Sequence, residues 1–276
     1  MLTLTETELL RTCQQRVATH LDAEEERTLR LWWHGQKERS SPLAAALLEQ
    51  GEQGWTRTIL EHRAHRHSWY DYLAQGASVR EFAAFILENS PLPAFLPLVE
   101  RTLAAQICDE GRAAVLRNIE DENVPAPHAD LMRRLVTALK ARSGDELRLE
   151  AFPTLADRIL VFYYGYYCDP WRLAGSLYAT EVMAHYRMTQ MGAGLERLQF
   201  DPADLEFIRV HVECDEGHAS DWSEGVIAPS IRLDPRLRIP VAEGIAACLE
   251  TSARYLDDCL SRSTHEVPSI ITANAE

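Results

Sequence analysis

Pairs of cysteines that could bind zinc or exchange disulfides are absent from this chain. The six cysteines are widely spaced and form no Cys-x-x-Cys pair, which excludes a zinc ribbon and a thioredoxin-type motif. Positive charge is also scarce, because 28 Lys and Arg residues stand against 42 Asp and Glu residues, for a net charge of −14. We therefore expect no nucleic-acid partner and no anionic membrane partner, since both require clustered basic residues.

The start of the chain and its apolar runs also lack the features of a secreted or membrane-spanning protein. Residues 1–6, Met-Leu-Thr-Leu-Thr-Glu, carry no basic segment followed by an apolar one, as a secretory signal would. No apolar run approaches the roughly 18 residues that a membrane span needs. Together with the unpaired cysteines, these absences predict a cytoplasmic protein with reduced thiols.

What the sequence does contain is an almost continuous helical pattern. Apolar residues recur every three and four positions, for example at Leu9, Cys13 and Val17, as on one face of an amphipathic helix. Proline and glycine breaks predict helices over 5–35, 41–65 (starting at Ser41-Pro42), 79–89, 94–119, 128–142, 153–167, 170–191 (ended by Gly192 and Gly194), from 202 onward, and 238–262. We expect an all-α bundle of about seven core helices over 56–263, an N-terminal helical arm over 1–55 and a frayed tail over 264–276.

Three residues of metal-ligating type lie close together near the end of this pattern. His211, Asp215 and His218 are spaced by four and three residues, so they fall on one face of a helix. Two imidazole nitrogens and a carboxylate oxygen form part of a ligand set for a divalent transition metal. The alternative is a solvated acidic face, because Glu213 and Glu216 lie among them.

A carboxylate on the preceding helix is a candidate for the same site. Asp169-Pro170 marks the start of that helix, and Glu181 lies at the end of its small, apolar stretch. A carboxylate on an apolar helix face needs a partner. That partner is either a metal ion or a guanidinium, and Arg172 and Arg187 are the nearest in the sequence.

A third candidate segment is Asn118-Ile119-Glu120-Asp121-Glu122, which precedes His128. Glu122 and His128 are six residues apart and would not share a face of a continuous helix. The break Val124-Pro125-Ala126-Pro127 must therefore turn His128 back toward Glu122. Asp121 is a rival to Glu122 as a ligand, and ordinary helix-end residues are the alternative for both Glu122 and His128.

Together these segments resemble the haem-oxygenase-like diiron oxidases, the haem-free relatives of haem oxygenase. The similarity is carried by Asn118 to Glu122 with the downstream His128, by the small-residue helix from Leu173 to Glu181, and by His-x3-Asp-x2-His at 211–218. It covers about residues 60–260.

The resemblance implies a haem-oxygenase-like helical bundle that binds two Fe(II) ions and no haem. The implied metal ligands are Glu122, His128, Glu181, His211, Asp215 and His218. Glu181 would be shared between the ions. The first iron would take Glu122, His128 and His218, and the second would take His211 and Asp215. A mixed manganese–iron pair is the alternative metal content.

The resemblance also implies an O2-dependent oxidase or oxygenase of specialised, natural-product metabolism. Its small-molecule substrate would be an amine- or carboxylate-bearing, amino-acid-derived metabolite, changed by N-oxygenation or by oxidative C–C cleavage or decarboxylation. An external electron donor and a homodimer would fit this class. Two alternatives stay open: a metal-free thiaminase-like hydrolase or cofactorless oxidase of the same fold, and a non-enzymatic metal-binding bundle.

Several other side chains have a simpler explanation beside a functional one. His185 lies four residues after Glu181, and we expect a structural role for it. Charged neighbours favour a surface location for a tract of three histidines: His62, His65 and His67. Three arginines could bind a substrate carboxylate or simply lie on the charged surface: Arg172, Arg187 and Arg209.

Overall fold

The computed structural model describes residues 5–16, 20–143 and 153–265. They form α-helices without any β-strand, which confirms the all-α prediction. The helices are α1 (Glu6–Arg16), α2 (Ala23–Gln50), α3 (Glu52–Glu61), α4 (Ser68–Gln75), α5 (Val79–Asn89), α6 (Leu92–Ala104), α7 (Asp109–Asp121), α8 (His128–Ser143), α9 (Pro153–Cys168), α10 (Pro170–Arg197), α11 (Glu206–Ser220), α12 (Ala228–Leu233) and α13 (Arg238–His265). None of them is both long and apolar enough to cross a membrane.

The helix predicted to begin at Ser41-Pro42 is wrong, because α2 continues through Pro42. A proline inside a helix leaves the carbonyl four residues earlier without its N–H donor. Here the Ser41 hydroxyl donates to the Glu38 carbonyl at 2.9 Å and takes over that role. Ser41-Pro42, which resembles a helix start in the sequence, therefore lies inside α2, where the Ser41 hydroxyl replaces the missing N–H donor.

Other predicted boundaries also differ from the structure. The predicted helix 41–65 is interrupted at Gly51, between α2 and α3, and α3 ends at Glu61. The predicted helix 94–119 is divided into α6 and α7, and Arg112 donates to the carbonyl of Ala104 at the end of α6. Helix α10 runs on past Gly192 and Gly194 instead of ending there. A side chain at Gly194 would overlap with the Leu73 carbonyl and the ring of Phe82, so this glycine allows close packing and does not end the helix.

Helix α10 lies at the centre of the bundle, packed against α4, α9, α11 and α13. Glycine makes the closest of these approaches possible. A Cβ atom at Gly175 would overlap with the Val241 carbonyl, and one at Gly244 would overlap with the Arg172 carbonyl. The small-residue stretch of α10 thus allows its backbone to lie directly against α13. This close packing fixes the position of α10, and with it that of Glu181, along the bundle axis.

The N-terminal helices pack onto this bundle along two of its members. Helix α2 lies along α13, and α1 packs against α9. Trp33 of α2 stacks on Tyr164 of α9 with 4.4 Å between ring centroids. The division into an arm over 1–55 and a core over 56–263 stays a prediction, as does the frayed tail, of which residues 266–276 lie outside the described residues.

Candidate metal centre

Helix α11 carries both histidines of the predicted stripe. The His211 ring donates through Nδ1 to the Phe207 carbonyl, one turn earlier, at 2.7 Å. That bond leaves Nε2 as the atom with a free lone pair, the form in which imidazole binds a metal. Asp215 belongs to the same helix, but its side chain lies outside the described part of the chain. Its assignment as a ligand stays a prediction.

The chain turns back between Glu122 and His128, as the proline break predicts. The N–H of His128 donates to the Glu122 carbonyl at 2.9 Å, and His128 is the first residue of α8. This turn places Nδ1 of His128 3.0 Å from Oε2 of Glu122. On its other side, the ring contacts the Val124 carbonyl through Nε2 at 3.2 Å. As in His211, one ring nitrogen donates to a backbone carbonyl, and the other ring nitrogen faces inward.

Glu122, His128 and His211 come together at one point. Each offers a ligand atom, and the three atoms lie within 4.8 Å of one another. The rings of His128 and His211 are 4.6 Å apart between centroids. Glu122 and His128 are buried and His211 is partly buried. Two lone-pair nitrogens and a carboxylate at this spacing match part of the coordination shell of a transition metal.

Two inward-facing atoms of this group have no hydrogen-bond partner among the described residues. They are Nδ1 of His128 and Oε2 of Glu122, which are buried and lie 3.0 Å apart. Buried polar atoms without partners are costly. Burial would raise the pKa of Glu122, but contact with His128 and the positive charge of the nearby imidazoles outweigh it and lower that pKa. Burial also lowers the pKa of His211 and so favours its neutral form.

A second pair of candidate ligands lies beside the first group. Oε2 of Glu181 on α10 is 3.5 Å from Nδ1 of His218 on α11. The arginine alternatives for Glu181 do not apply in the described structure: Arg172 pairs with Asp169 and Glu243, and Arg187 makes no ion pair there. Glu181 therefore faces an imidazole across a short gap.

Which iron each histidine would bind stays a prediction. His211, and not His218, lies with Glu122 and His128 among the described residues. His218, two turns later, faces α10 and Glu181.

Asp121 and Glu122 take different places, although both are candidates in the sequence. The Glu122 side chain is 7% exposed, whereas that of Asp121 is 52% exposed. Asp121 Oδ2 lies 3.3 Å from Nε2 of His218, whereas Glu181 lies beside the other ring nitrogen, Nδ1. Carboxylates in such places commonly orient a metal-binding histidine through its second nitrogen. Glu122 is thus the inner carboxylate and Asp121 the outer one.

Glu100 of α6 belongs to the same cluster and was missed from the sequence. Only 2% of it is exposed, and its Oε2 is buried without a hydrogen-bond partner in the described structure. Burial raises its pKa well above the usual value, and the negative charges of Glu122 and Glu181 raise it further. The available signal was a carboxylate inside an apolar helix, Leu-Pro-Leu-Val-Glu, the same signal that marks Glu181.

The segment after α11 is anchored to the helix that carries Asp121. Residues Asp221–Ile227 form a π-helix, a conformation often found at functional sites. Asp221 at its start pairs with Arg117 at 2.6 Å and accepts from the Asn118 side chain at 3.4 Å. The asparagine that opens the third sequence segment therefore connects α7 to the end of the predicted stripe on α11.

Other candidates have roles outside the cluster. His185 is exposed and contacts the Val212 carbonyl through Nδ1 at 3.3 Å. The histidine tract is less exposed than expected: His65 and His67 are buried. His67 contacts Asp257 at 3.0 Å, and His62 lies 3.5 Å from Glu250.

Comparison with known proteins identifies the family and the fold of the chain. Residues 93–253 match the family model described as iron-containing redox enzyme. A solved structure from Shewanella denitrificans OS217, a domain of unknown function with a heme oxygenase-like fold, is similar with a TM-score of 0.56 and 17% identity, covering 82% of this chain and 97% of that one. This likeness confirms the heme oxygenase-like all-α fold. No curated protein matches the chain.

Proposed function

Because the chain belongs to the family of iron-containing redox enzymes, we propose that it is a non-haem diiron oxidase or oxygenase that uses O2. Its substrate is a small amine- or carboxylate-bearing metabolite of specialised metabolism. The observation that carries this proposal is the convergence of Glu122, His128 and His211 within 4.8 Å, with Glu181 and His218 beside them.

The buried carboxylates and imidazoles are explained better by two bound iron ions than by a site without metal. The ligands proposed are Glu122, His128, Glu181, His211, Asp215 and His218, with Glu100 as a further carboxylate. Oxygen atoms of Glu100 and Glu122 and a nitrogen of His128 are buried without hydrogen bonds in the described structure. Divalent cations would give each of these atoms a partner and offset the repulsion between the carboxylates.

The residues around the cluster prepare it for this role. Carbonyl groups of Val124 and Phe207 fix which ring nitrogen of His128 and His211 faces inward. Asp121 does the same for His218 from the solvent side. Bound iron supplies the redox chemistry with O2, and the buried surroundings limit access of water to the reacting groups. The chain itself thus contributes ligand orientation, charge compensation and a dry site.

The experiment that tests the proposal loads the purified chain with Fe(II) without O2 and then admits O2. We expect two tightly held irons per chain, and O2 consumption that depends on one class among amino acids, amines and fatty acids. His218→Ala should abolish turnover, whereas His185→Ala, at an exposed histidine of the neighbouring helix, should retain it. Two bound irons without substrate-dependent O2 uptake across all classes would contradict the oxidase proposal.

A further inference from the structure

A pocket opens beside the candidate metal centre and shares its wall. Its cavity volume is about 80 Å³, and its lining includes Glu122, Glu181 and His211. Much of the remaining wall is apolar, with Phe85, Ile86, Leu92, Leu96, Phe162 and Met188 among its residues. A concave, mostly apolar site with few polar groups is the usual form of a small-molecule site. A molecule in this pocket lies next to the proposed iron ligands.

Two guanidinium groups also line the pocket, from different helices. Arg158 of α9 donates to the side-chain oxygen of Asn89, and its guanidinium carbon lies 5.3 Å from the centre of the Tyr255 ring. Arg187 of α10 has a buried Nε without a hydrogen-bond partner among the described residues. Neither arginine makes an ion pair with a carboxylate in the described structure. The pocket thus holds two partly buried cations without an anionic partner.

Both guanidiniums act on the same buried phenol. Tyr70 also lines the pocket. Burial raises its pKa, while the charges of Arg187 and Arg158 both act against that rise. The two positive charges are therefore directed toward one region of the pocket and not to opposite ends of the molecule.

Other arginines near the site in sequence are neutralised, which sets these two apart. Arg172 pairs with Asp169 and Glu243, and Arg209 pairs with Glu206. A partly buried guanidinium without a carboxylate costs free energy unless an anion binds to it. Its planar fork matches the two oxygens of a carboxylate.

We propose that this pocket binds a monocarboxylate with an apolar chain, held by Arg158 and Arg187 through its carboxylate. The chain of the ligand lies against the apolar wall, next to Glu122, Glu181 and His211. Among the described residues of the lining, the acidic ones are Glu122 and Glu181, which are the proposed iron ligands. An ammonium group would therefore meet two cations and no available carboxylate. The inference rests on the proposed function and selects acids from its substrate classes.

Binding of three molecules with the same apolar chain tests the inference without turnover. Octanoate, octylamine and methyl octanoate are titrated into the chain by calorimetry without O2, both with Fe(II) and with chelator, and butanoate and dodecanoate extend the acid series. We expect octanoate to bind about 10- to 100-fold more tightly than octylamine and methyl octanoate, as for a charge-assisted bond to carboxylate. If octanoate is too long or too short, the same selectivity should appear for butanoate or dodecanoate against the amine and methyl ester of the same chain length. Equal or tighter binding of the amine or ester, or no saturable binding of any acid, would overturn the inference.

Variants assign the binding to the two arginines. Arg187→Gln and Arg158→Gln should each weaken octanoate binding about 10-fold or more while leaving methyl octanoate binding unchanged. Arg187→Lys should restore part of the loss, because it keeps the charge without the planar fork. Arg232→Gln, at an exposed arginine of α12, is the matched control and should change nothing. Equal loss of acid and ester binding would indicate damage to the pocket and overturn the assignment.

Failure of this inference and failure of the proposed function are distinguishable. Selective acid binding with no substrate-dependent O2 uptake would contradict the oxidase proposal and support the carboxylate site. Iron-dependent O2 uptake on an amine, with no acid selectivity in calorimetry, would support the oxidase proposal and contradict the carboxylate site.

Discussion

Asp121 lies 3.3 Å from His218, on the side of the imidazole that faces away from Glu181. The ring is buried while the carboxylate is half exposed. In this place a carboxylate holds the second nitrogen of a histidine and directs the first toward a metal, without touching the metal itself.

Replacing Asp121 by Asn should therefore weaken metal binding and spare the fold. We expect Fe(II) affinity to fall about 10- to 100-fold, as is common for groups that orient metal-binding histidines, while the helical circular dichroism signal stays unchanged. The measurement is an anaerobic titration against a competing chelator. Glu120→Gln, which removes an exposed charge from the neighbouring residue, is the control. Loss of affinity in both variants, or in neither, would show that Asp121 is an ordinary solvated charge.

Glu100 should make the metal-free chain less stable as the pH rises. Burial, with the charges of Glu122 and Glu181, raises the pKa of Glu100 above its usual 4.5. The folded chain then keeps a proton on Glu100 that the unfolded chain has lost, so stability falls as pH rises from the unfolded pKa through the folded one. Glu100→Gln should gain on the order of 1–3 kcal/mol at about pH 8 and nothing at about pH 4.

Urea denaturation with chelator present measures this difference between Glu100→Gln and the natural chain. Glu110→Gln, at an exposed residue of α7, should show no pH-dependent gain. With Fe(II) bound, the order should reverse, because the variant lacks one carboxylate of the cluster. A variant that is less stable than the natural chain at both pH values without metal would contradict the assignment of Glu100 as a buried, unpaired carboxylate.

The division of the ligands predicts a partial loss of metal in a single variant. His211→Ala removes one of the three ligand atoms that lie within 4.8 Å of one another, while Glu181 and His218 stay in place. We expect the iron content to fall from two ions per chain toward one, measured by elemental analysis after desalting. His185→Ala should keep two. An unchanged iron content in His211→Ala would remove this residue from the ligand set.

Close contact of α10 with α13 predicts a packing defect from a single added methyl group. Gly175→Ala would overlap with the Val241 carbonyl, and we expect a loss of about 1–3 kcal/mol of unfolding free energy. Because Glu181 lies farther along the same helix, iron affinity should fall as well. Gly35→Ala, where a Cβ would meet only the end of the Arg39 side chain, should be neutral or slightly stabilising. Equal effects of the two variants in urea denaturation would contradict the close approach.

The sequence was sufficient for those features that depend on local helix geometry. The spacing of His211 and His218 follows from the helical repeat, and both lie on one helix with their inner nitrogens toward carboxylates. The turn between Glu122 and His128 follows from its prolines.

The features that the sequence did not predict depend on contacts between distant segments. The apolar stretch before Glu100 indicates that this carboxylate is buried, but only the packing of α6 places it beside Glu122 and Glu181. Arg158 acquires its significance only from the pocket between α9 and α10. Helix α2 continues through Pro42, where the Ser41 hydroxyl donates to the Glu38 carbonyl. The sequence pattern Ser-Pro, which is typical of a helix start, does not predict this hydrogen bond.

The most direct test of the diiron proposal is anomalous X-ray diffraction at the iron edge from crystals loaded with Fe(II) without O2. We predict two peaks, the first in contact with Glu122, His128 and His211 and the second with Glu181 and His218. Peaks only at surface carboxylates, or none between these residues in fully loaded crystals, would contradict it.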